Sequence, residues 1–184
     1  MPYRKCNRIP KYDYSRNGYY FVTICTKHRQ EWFGNIQNDI MELNEYGQIV
    51  RKQWVWLLEQ YNYVKLDKFT IMPNHMHGIL IISGDARDVG TGRDLSLQKT
   101  KSLSGLIGAF KTTSSKLIHM AGLKGFHWQR SFYDRVIRNE KELTQICEYI
   151  INNPKQWDMD INNKHENINI VGAGRDLPLL NKII

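Results

Sequence analysis

The sequence predicts an α+β domain of the split βαβ, ferredoxin-like type, in which an antiparallel sheet carries two helices on one face. Three observations lead to this prediction. Strand-like and helix-like apolar patterns follow each other in the order β-α-β-β-α-β, a turn separates the two middle strands, and one further helical segment follows the last strand. With 184 residues and 41% hydrophobic content, the chain can bury a core without disulfides or a structural metal.

Four segments are rich in β-branched and aromatic residues, as the strands of a packed sheet are. They span residues 19–26, 63–72, 75–83 and 131–137. The dipeptide Pro73-Asn74 separates the second segment from the third. Because both residues favour turns, these two strands are predicted to form a hairpin.

Three segments carry apolar residues at helical spacing. They span residues 41–61, 102–122 and 140–153. Asn44 and Asn139 are expected to cap the first and the last helix, and Pro154 ends the last one. Because the last helix follows the fourth strand, it does not connect two strands and is free to lie elsewhere than on the face with the other two helices.

The composition excludes several classes of protein. No apolar run approaches the roughly 20 residues that span a bilayer, and the N-terminal residues lack the apolar segment of a signal peptide. Cys6, Cys25 and Cys147 are far apart and form no CxxC pair, which disfavours a disulfide framework and a cysteine zinc site. We expect a cytoplasmic protein without membrane contact.

A net charge of +8 favours a polyanionic partner, because cationic side chains that neutralise phosphates release counterions. Residues 1–18 form a basic N-terminal arm with interleaved tyrosines, which suits phosphate contacts and base stacking. A second basic cluster lies near the fourth strand. The candidate DNA-binding residues are Arg4, Lys5, Arg8, Lys11 and Arg16 in the arm, and Arg130, Arg135 and Arg138 in the second cluster. The alternative for each is a solvated surface charge.

Two histidines interrupt the apolar stretch FTIMPNHMHGILII at residues 69–82. Strand alternation places His75 and His77 on one face and Met76 on the other. Two neutral imidazoles on one face can bind a divalent ion together, whereas the alternative is a hydrogen-bonded structural pair. We expect Met76 to point into the core and both histidines to point toward an ion.

The last predicted helix adds two polar groups. Tyr149 and Asn153 are four residues apart and therefore lie on the same helix face. A helix laid across the histidine strand would bring a phenol and an amide oxygen to the same site. The alternatives are a core tyrosine and a helix C-cap before Pro154. Tyr133 is a competing nucleophile, but its strand position without a ligand-spaced partner favours packing.

Together these segments resemble a known family. In order and spacing, DYSRNGYYFVTICTKHR, FTIMPNHMHGILI, FHWQRSFYDRVIRNEKEL and YIINNP are similar to the HUH single-tyrosine transposases, most closely the REP-associated tyrosine transposases and their insertion-sequence relatives. The resemblance covers residues 3–157. It implies that residues 19–157 form the catalytic domain and that residues 158–184 form a C-terminal tail.

The resemblance also implies residue roles. His75 and His77 correspond to the HUH pair that would bind Mg²⁺ or Mn²⁺, Tyr149 corresponds to the nucleophile, and Asn153 corresponds to the polar third ligand. The implied activity is metal-dependent nicking and joining of single-stranded or hairpin DNA through a 5′-phosphotyrosyl intermediate. We expect a monomer or a weak homodimer.

Two other functions fit the same residues. One is a non-catalytic single-stranded nucleic-acid-binding module of ferredoxin-like fold, because such sheets also serve as base-stacking platforms. The other is a metal-dependent hydrolase in which water attacks instead of Tyr149, leaving no covalent intermediate.

A duplicated segment remains outside these assignments. VGTGRDLSL at 89–97 and VGAGRDLPL at 171–179 agree at seven of nine positions. Neither copy follows a strand and opens a helix, as a dinucleotide-binding fingerprint requires. We expect flexible loop segments, which could pair with each other, with DNA contact as the alternative.

Overall fold

The computed structural model describes residues 9, 12–84, 100–160 and 163. Short 3-10 helices lie at Lys27–Arg29 and Pro154–Met159. The strands and α-helices of the described residues are, in chain order, β1 (Gly18–Cys25), β2 (Gly34–Gln37), β3 (Ile40–Leu43), α1 (Glu45–Gln60), β4 (Val64–Met72), β5 (His75–Ile82), α2 (Leu103–Met120), β6 (Tyr133–Ile137) and α3 (Glu140–Asn152).

A four-stranded sheet with the order β4-β5-β1-β6 positions the functional residues. All of its neighbouring strands run antiparallel: β1 pairs with β5 and β6, and β5 also pairs with β4. The strand order and the helical connections are those of the split βαβ arrangement, so the predicted α+β, ferredoxin-like fold is confirmed.

The two faces of this sheet carry different helices. On one face, Met76 and Leu80 of β5 belong to the main core together with Trp54 of α1 and Phe110 of α2. On the opposite face, Phe21, Ile79 and Ile137 pack with residues of α3. Met76 is fully buried in the main core, as predicted. The additional helix α3 therefore covers the face to which His75 and His77 belong.

The start of the first helix differs from the prediction. Residues 41–43 belong to β3, which pairs with β2 in a hairpin, and α1 begins at Glu45. Asn38 and Asp39 both have positive φ, 49° and 64°, which is the geometry of a two-residue hairpin turn. Asn44 caps α1 as predicted, since its Oδ1 accepts hydrogen bonds from the backbone N–H of Tyr46 and Gly47 at 3.0 Å.

The later elements follow the predicted pattern closely. The predicted helices at 102–122 and 140–153 correspond to α2 and α3, and Asn139 caps α3 by accepting from the backbone N–H of Glu142 at 2.8 Å. None of the described helices is long and apolar enough to cross a membrane. Most of the basic arm, with Arg4, Lys5, Arg8 and Lys11, lies outside the described residues, as do both copies of the duplicated segment.

Candidate active site

The site is built on the first residues of β5. His75 and His77 are fully buried, and their Nε2 atoms lie 3.0 Å apart. Their partners across the ladder are Cys25 and Thr23 of β1. The His77 ring stacks on Phe21 with a centroid distance of 5.5 Å. The strand therefore brings the two imidazoles onto one face with one nitrogen of each directed at the other, as the HxH spacing predicts.

The second nitrogen of each ring has its own partner. His75 Nδ1 lies 2.8 Å from Asn74 Oδ1, and His77 Nδ1 lies 2.8 Å from Thr23 Oγ1. The Asn74 amide nitrogen donates to the carbonyl of Arg29 at 3.1 Å, which fixes the amide oxygen toward His75. Because this oxygen only accepts, His75 carries its proton on Nδ1 and presents a lone pair on Nε2. Outer hydrogen bonds of this kind orient the histidines of metal sites.

A carboxylate completes the buried group. Asp160 Oδ2 lies 3.6 Å from His75 Nε2, and the ligand atoms of His75, His77 and Asp160 all lie within 4.8 Å of one another. Asp160 follows the 3-10 helix Pro154–Met159, and Trp157 of that helix stacks on His75 with a centroid distance of 6.0 Å. Sequence reasoning missed Asp160, because its position near two histidines depends on a short helix that apolar spacing does not reveal.

Tyr149 reaches the same group from α3. Its hydroxyl lies 3.3 Å from His77 Nε2, and the two rings meet edge to face with centroids 5.1 Å apart. Asn153 is the C-cap of α3 and is 2% exposed. Its Oδ1 has no hydrogen-bond partner within the described part of the chain. Its side chain also makes a hydrogen bond that acts on the Tyr149 hydroxyl, so Asn153 lies beside Tyr149, which in turn contacts His77. The ligand role of Asn153 stays a prediction.

Burial controls the ionisation of the site. It lowers the pKa of His77 to about 3. The pKa of His75 lies well below its ordinary value, first because of burial and then because of the charges of His77 and Arg29. Both imidazoles are therefore neutral at pH 7, which is the form that binds metals. Burial, followed by the Asp160 charge, raises the pKa of Tyr149, whereas the side-chain hydrogen bond from Asn153 lowers it.

The donor set fits a divalent cation. Two imidazole nitrogens and one carboxylate oxygen, all buried, can coordinate such an ion, and the carboxylate offsets part of its charge. A bound cation would also give the buried carboxylate a partner, and burying a charged group without a partner is costly. Imidazole alone suits several transition metals, whereas carboxylate and amide oxygens also suit Mg²⁺ and Mn²⁺.

The candidate DNA-binding arginines occupy different environments. Arg16, Arg130 and Arg138 are exposed. Arg135 is partly buried, and its Nε donates to Glu142 Oε1 at 2.6 Å, so this guanidinium takes part in an ion pair that joins β6 to α3. The DNA-binding role of these residues stays a prediction. Tyr133, the competing tyrosine, packs edge to face against Phe21 with centroids 6.4 Å apart.

Comparison with known proteins identifies a sequence relative. An uncharacterized protein of Haemophilus influenzae (strain ATCC 51907 / DSM 11121 / KW20 / Rd) is 34% identical over 166 residues, which cover 86% of this chain and 92% of the Haemophilus protein. This chain belongs to the same family as that protein. No model of a known protein family matches the chain.

A solved structure shares the fold. The REP-associated tyrosine transposase bound to a REP hairpin superposes with a TM-score of 0.54 at 20% sequence identity, over 81% of this chain and 73% of the transposase chain. At this level of identity the similarity establishes a common fold. It therefore confirms the fold that the resemblance implies.

Proposed function

We propose that this protein is a metal-dependent DNA strand transferase of the transposase type, which nicks and joins single-stranded or hairpin DNA through Tyr149. The observation that carries the proposal is the 3.3 Å distance between the Tyr149 hydroxyl and His77 Nε2, within a buried group that also contains His75 and Asp160. The hairpin-bound transposase of the same fold supports DNA as the substrate class.

His75, His77 and Asp160 are the residues that would hold Mg²⁺ or Mn²⁺, with the Asn153 amide as a further oxygen donor beside Tyr149. When bound, the ion supplies a Lewis acid for a nonbridging phosphate oxygen and a positive charge that favours the phenolate. The neutral state of both histidines, set by burial, leaves one ring nitrogen of each without a proton and able to coordinate the ion.

The proposed reaction forms one bond and breaks one. Tyr149 Oη attacks the phosphorus in line with the departing 3′-oxygen, so the Oη–P bond forms while the P–O3′ bond breaks. The phenolic proton is lost to solvent, and the departing oxygen takes up a proton to become a 3′-hydroxyl. The product is a 5′-phosphotyrosyl ester, which a second 3′-hydroxyl can attack in the reverse sense. Strands are therefore rejoined without ATP, because the ester retains the energy of the phosphodiester.

Asn153 and Asp160 act on Tyr149 in opposite directions. The amide of Asn153 stabilises the phenolate, since its hydrogen bond lowers the pKa of Tyr149. The charge of Asp160 raises that pKa. Coordination of the Asp160 carboxylate to a cation would remove this opposition, which couples metal binding to activation of the nucleophile.

A denaturing gel tests the proposal. The protein is incubated with Mn²⁺ and a 3′-end-labelled DNA hairpin that carries single-stranded flanks, because the phosphotyrosyl bond attaches the downstream fragment. We expect a labelled protein–DNA adduct that is absent in Tyr149→Phe and His75→Ala. Tyr133→Phe is the matched control and should retain the adduct, since Tyr133 packs on the same face of the sheet outside the ligand group.

The two alternatives give different results in the same assay. Cleavage that persists in Tyr149→Phe would show that water attacks and would make the protein a metal-dependent hydrolase. Binding of the hairpin without cleavage in the presence of Mn²⁺ would indicate a non-catalytic binding module. Either result would overturn the proposed strand transfer.

A further inference from the structure

A cavity of about 660 Å³ lies between α2 and residues 124–130, on the main-core side of the sheet from which the Tyr149 helix is absent. We call it the basic cleft. Its described lining includes no Asp or Glu. The basic side chains that line it are Lys111, Lys116, His119, Lys124, His127 and Arg130.

Hydrogen bonds build one wall of the basic cleft. Lys111 Nζ donates to the carbonyl oxygens of Gln129 at 2.8 Å and Ser131 at 3.0 Å, and so ties this segment to α2. Burial lowers the pKa of Lys111 to about 8, so the ammonium is still mostly charged at pH 7. An ammonium has three donors, and the wall uses two of those of Lys111. A positive charge is thus fixed at the cleft by the packing of the protein.

The wall continues the sheet at the end where the candidate active site lies. The backbone N–H of Gln129 donates to the carbonyl of Cys25 at 2.8 Å, and Cys25 pairs with His75 on the other side of β1. Neighbouring strands are about 4.8 Å apart, so the backbones at Gln129 and His75 are separated by two such spacings, roughly 10 Å. The cleft and the candidate active site lie on opposite faces of the sheet, so a DNA strand that contacts both would pass around this end of the sheet.

We propose that the basic cleft binds the phosphodiester backbone of the DNA strand that flanks the cleaved phosphate, an inference that rests on the proposed function. Cations on α2 and on the 124–130 segment converge on one cavity whose described lining holds no carboxylate. Phosphate contacts of this kind position a strand without reading its sequence. The cleft thereby fixes the direction in which the strand reaches Tyr149.

Two triple variants with equal changes in charge test this site. The first carries Lys116→Gln, Lys124→Gln and Arg130→Gln, all exposed residues of the basic cleft. The control carries Arg51→Gln, Lys52→Gln and Lys65→Gln, which are exposed on α1 and on β4 at the opposite edge of the sheet. Both are made in the Tyr149→Phe background, so that covalent capture does not contribute to the binding measurement.

The readout is the affinity for a fluorescein-labelled hairpin with single-stranded flanks, measured by anisotropy over a range of salt concentrations. Each lost phosphate contact should lower the slope of log K against log salt by about 0.7 for single-stranded DNA. The cleft variant should therefore lose about 2 from the slope and bind about 30-fold more weakly near 0.2 M salt. The single variant Lys116→Gln should show about a third of the slope change of the triple variant. It provides the test if the triple variant does not fold.

The outcomes separate the cleft from the chemistry. If the cleft variant and the control bind with the same affinity and slope, the cleft is not a DNA site, whatever the adduct assay shows. If the wild-type protein forms no adduct but the cleft variant loses affinity and slope as expected, the strand transfer is wrong and the cleft remains a DNA-binding site. Equal loss in both triple variants would overturn the cleft, because it would reflect net charge alone.

Discussion

The Tyr149 hydroxyl and His77 Nε2 lie 3.3 Å apart, although 72 positions separate the two residues in the chain. The contact forms because α3 packs on the sheet face opposite to α1 and α2, where Phe21 touches both rings. The ring that supports both comes from β1, so the contact depends on the packing of β1, β5 and α3 together.

Asp160→Asn should weaken Mn²⁺ binding more than Asn153→Ala does. The carboxylate contributes a negative charge within 4.8 Å of both imidazole ligand atoms, whereas the amide contributes only a dipole. We expect Asp160→Asn to lose about tenfold or more in Mn²⁺ affinity, because even residues that only hydrogen-bond to metal ligands typically contribute that much. The measurement is the increase in melting temperature with Mn²⁺ concentration, which reports affinity through linkage. The reverse order would make Asn153 the third ligand, as the motif resemblance implies.

Asn74 should control the orientation of His75. Asn74→Ala removes the acceptor of the His75 Nδ1 proton and the donor to the Arg29 carbonyl, and we expect Mn²⁺ affinity to fall 10- to 100-fold, as is typical of such outer contacts. Asn74→Asp keeps the acceptor and loses the donor, so it should retain more affinity than Asn74→Ala. Equal affinities in the wild type and Asn74→Ala, by the same melting assay, would contradict the positioning role.

Gly78 should tolerate no side chain, because α1 lies directly over it. A Cβ at this position would lie 2.8 Å from Trp54 Cζ2 and 3.3 Å from Phe69 Cβ, so Gly78→Ala should cost about 1–3 kcal/mol through overpacking. Gly108→Ala is the matched control, since Gly108 is exposed on α2 and a Cβ placed there would have no atom within 4 Å apart from its own stretch of helix. It should be neutral or stabilise by up to about 1 kcal/mol. Urea unfolding measures both, and a Gly78→Ala variant as stable as Gly108→Ala would refute the close contact.

The sequence predicts the elements that have a strong period and misses those that do not. β5 and α3 carry clear strand and helix patterns, and the caps Asn44 and Asn139 mark their helices correctly. The β2–β3 hairpin was missed for two reasons. Its strands have only four residues each, and β3 directly precedes α1, so its apolar residues extend the apolar pattern of that helix. Two positive φ angles at Asn38 and Asp39 set that turn, and neither residue is glycine.

The site shows the same division. The strand period places His75 and His77 on one face, and the helix period places Tyr149 on one face with Asn153. That Tyr149 belongs with the histidines followed from the family resemblance, not from these periods. Asp160 could not be predicted, since a 3-10 helix after Pro154 turns the chain back toward β5 and leaves no apolar period behind it. The basic cleft could not be predicted from the sequence either. Arg130 was a candidate DNA-binding residue, but Lys111 and Lys124 lie beside it only because α2 packs against residues 124–130.

Acid should destabilise the metal-free protein through its buried histidines. The pKa of His77 is lowered to about 3 in the folded state, whereas an unfolded histidine titrates near 6.5. Between these pH values the unfolded chain binds a proton at His77 and the folded protein does not. The free energy of unfolding is therefore highest above about pH 6.5 and decreases as the pH falls. The slope for one such histidine is about 1.4 kcal/mol per pH unit, and the lowered pKa of His75 adds in the same direction.

Urea unfolding in EDTA between about pH 4.5 and 6.5, above the usual carboxylate range, measures this slope. His77→Gln should reduce it by about one proton, or about 1.4 kcal/mol per pH unit, even if the variant is less stable at every pH. His127→Gln is the matched control for replacing a histidine, because His127 is exposed and lies outside the buried group. A wild-type stability that stays constant across this range would mean that the imidazoles are accessible to protons in the folded state. That result would contradict the conclusion that burial keeps both imidazoles neutral.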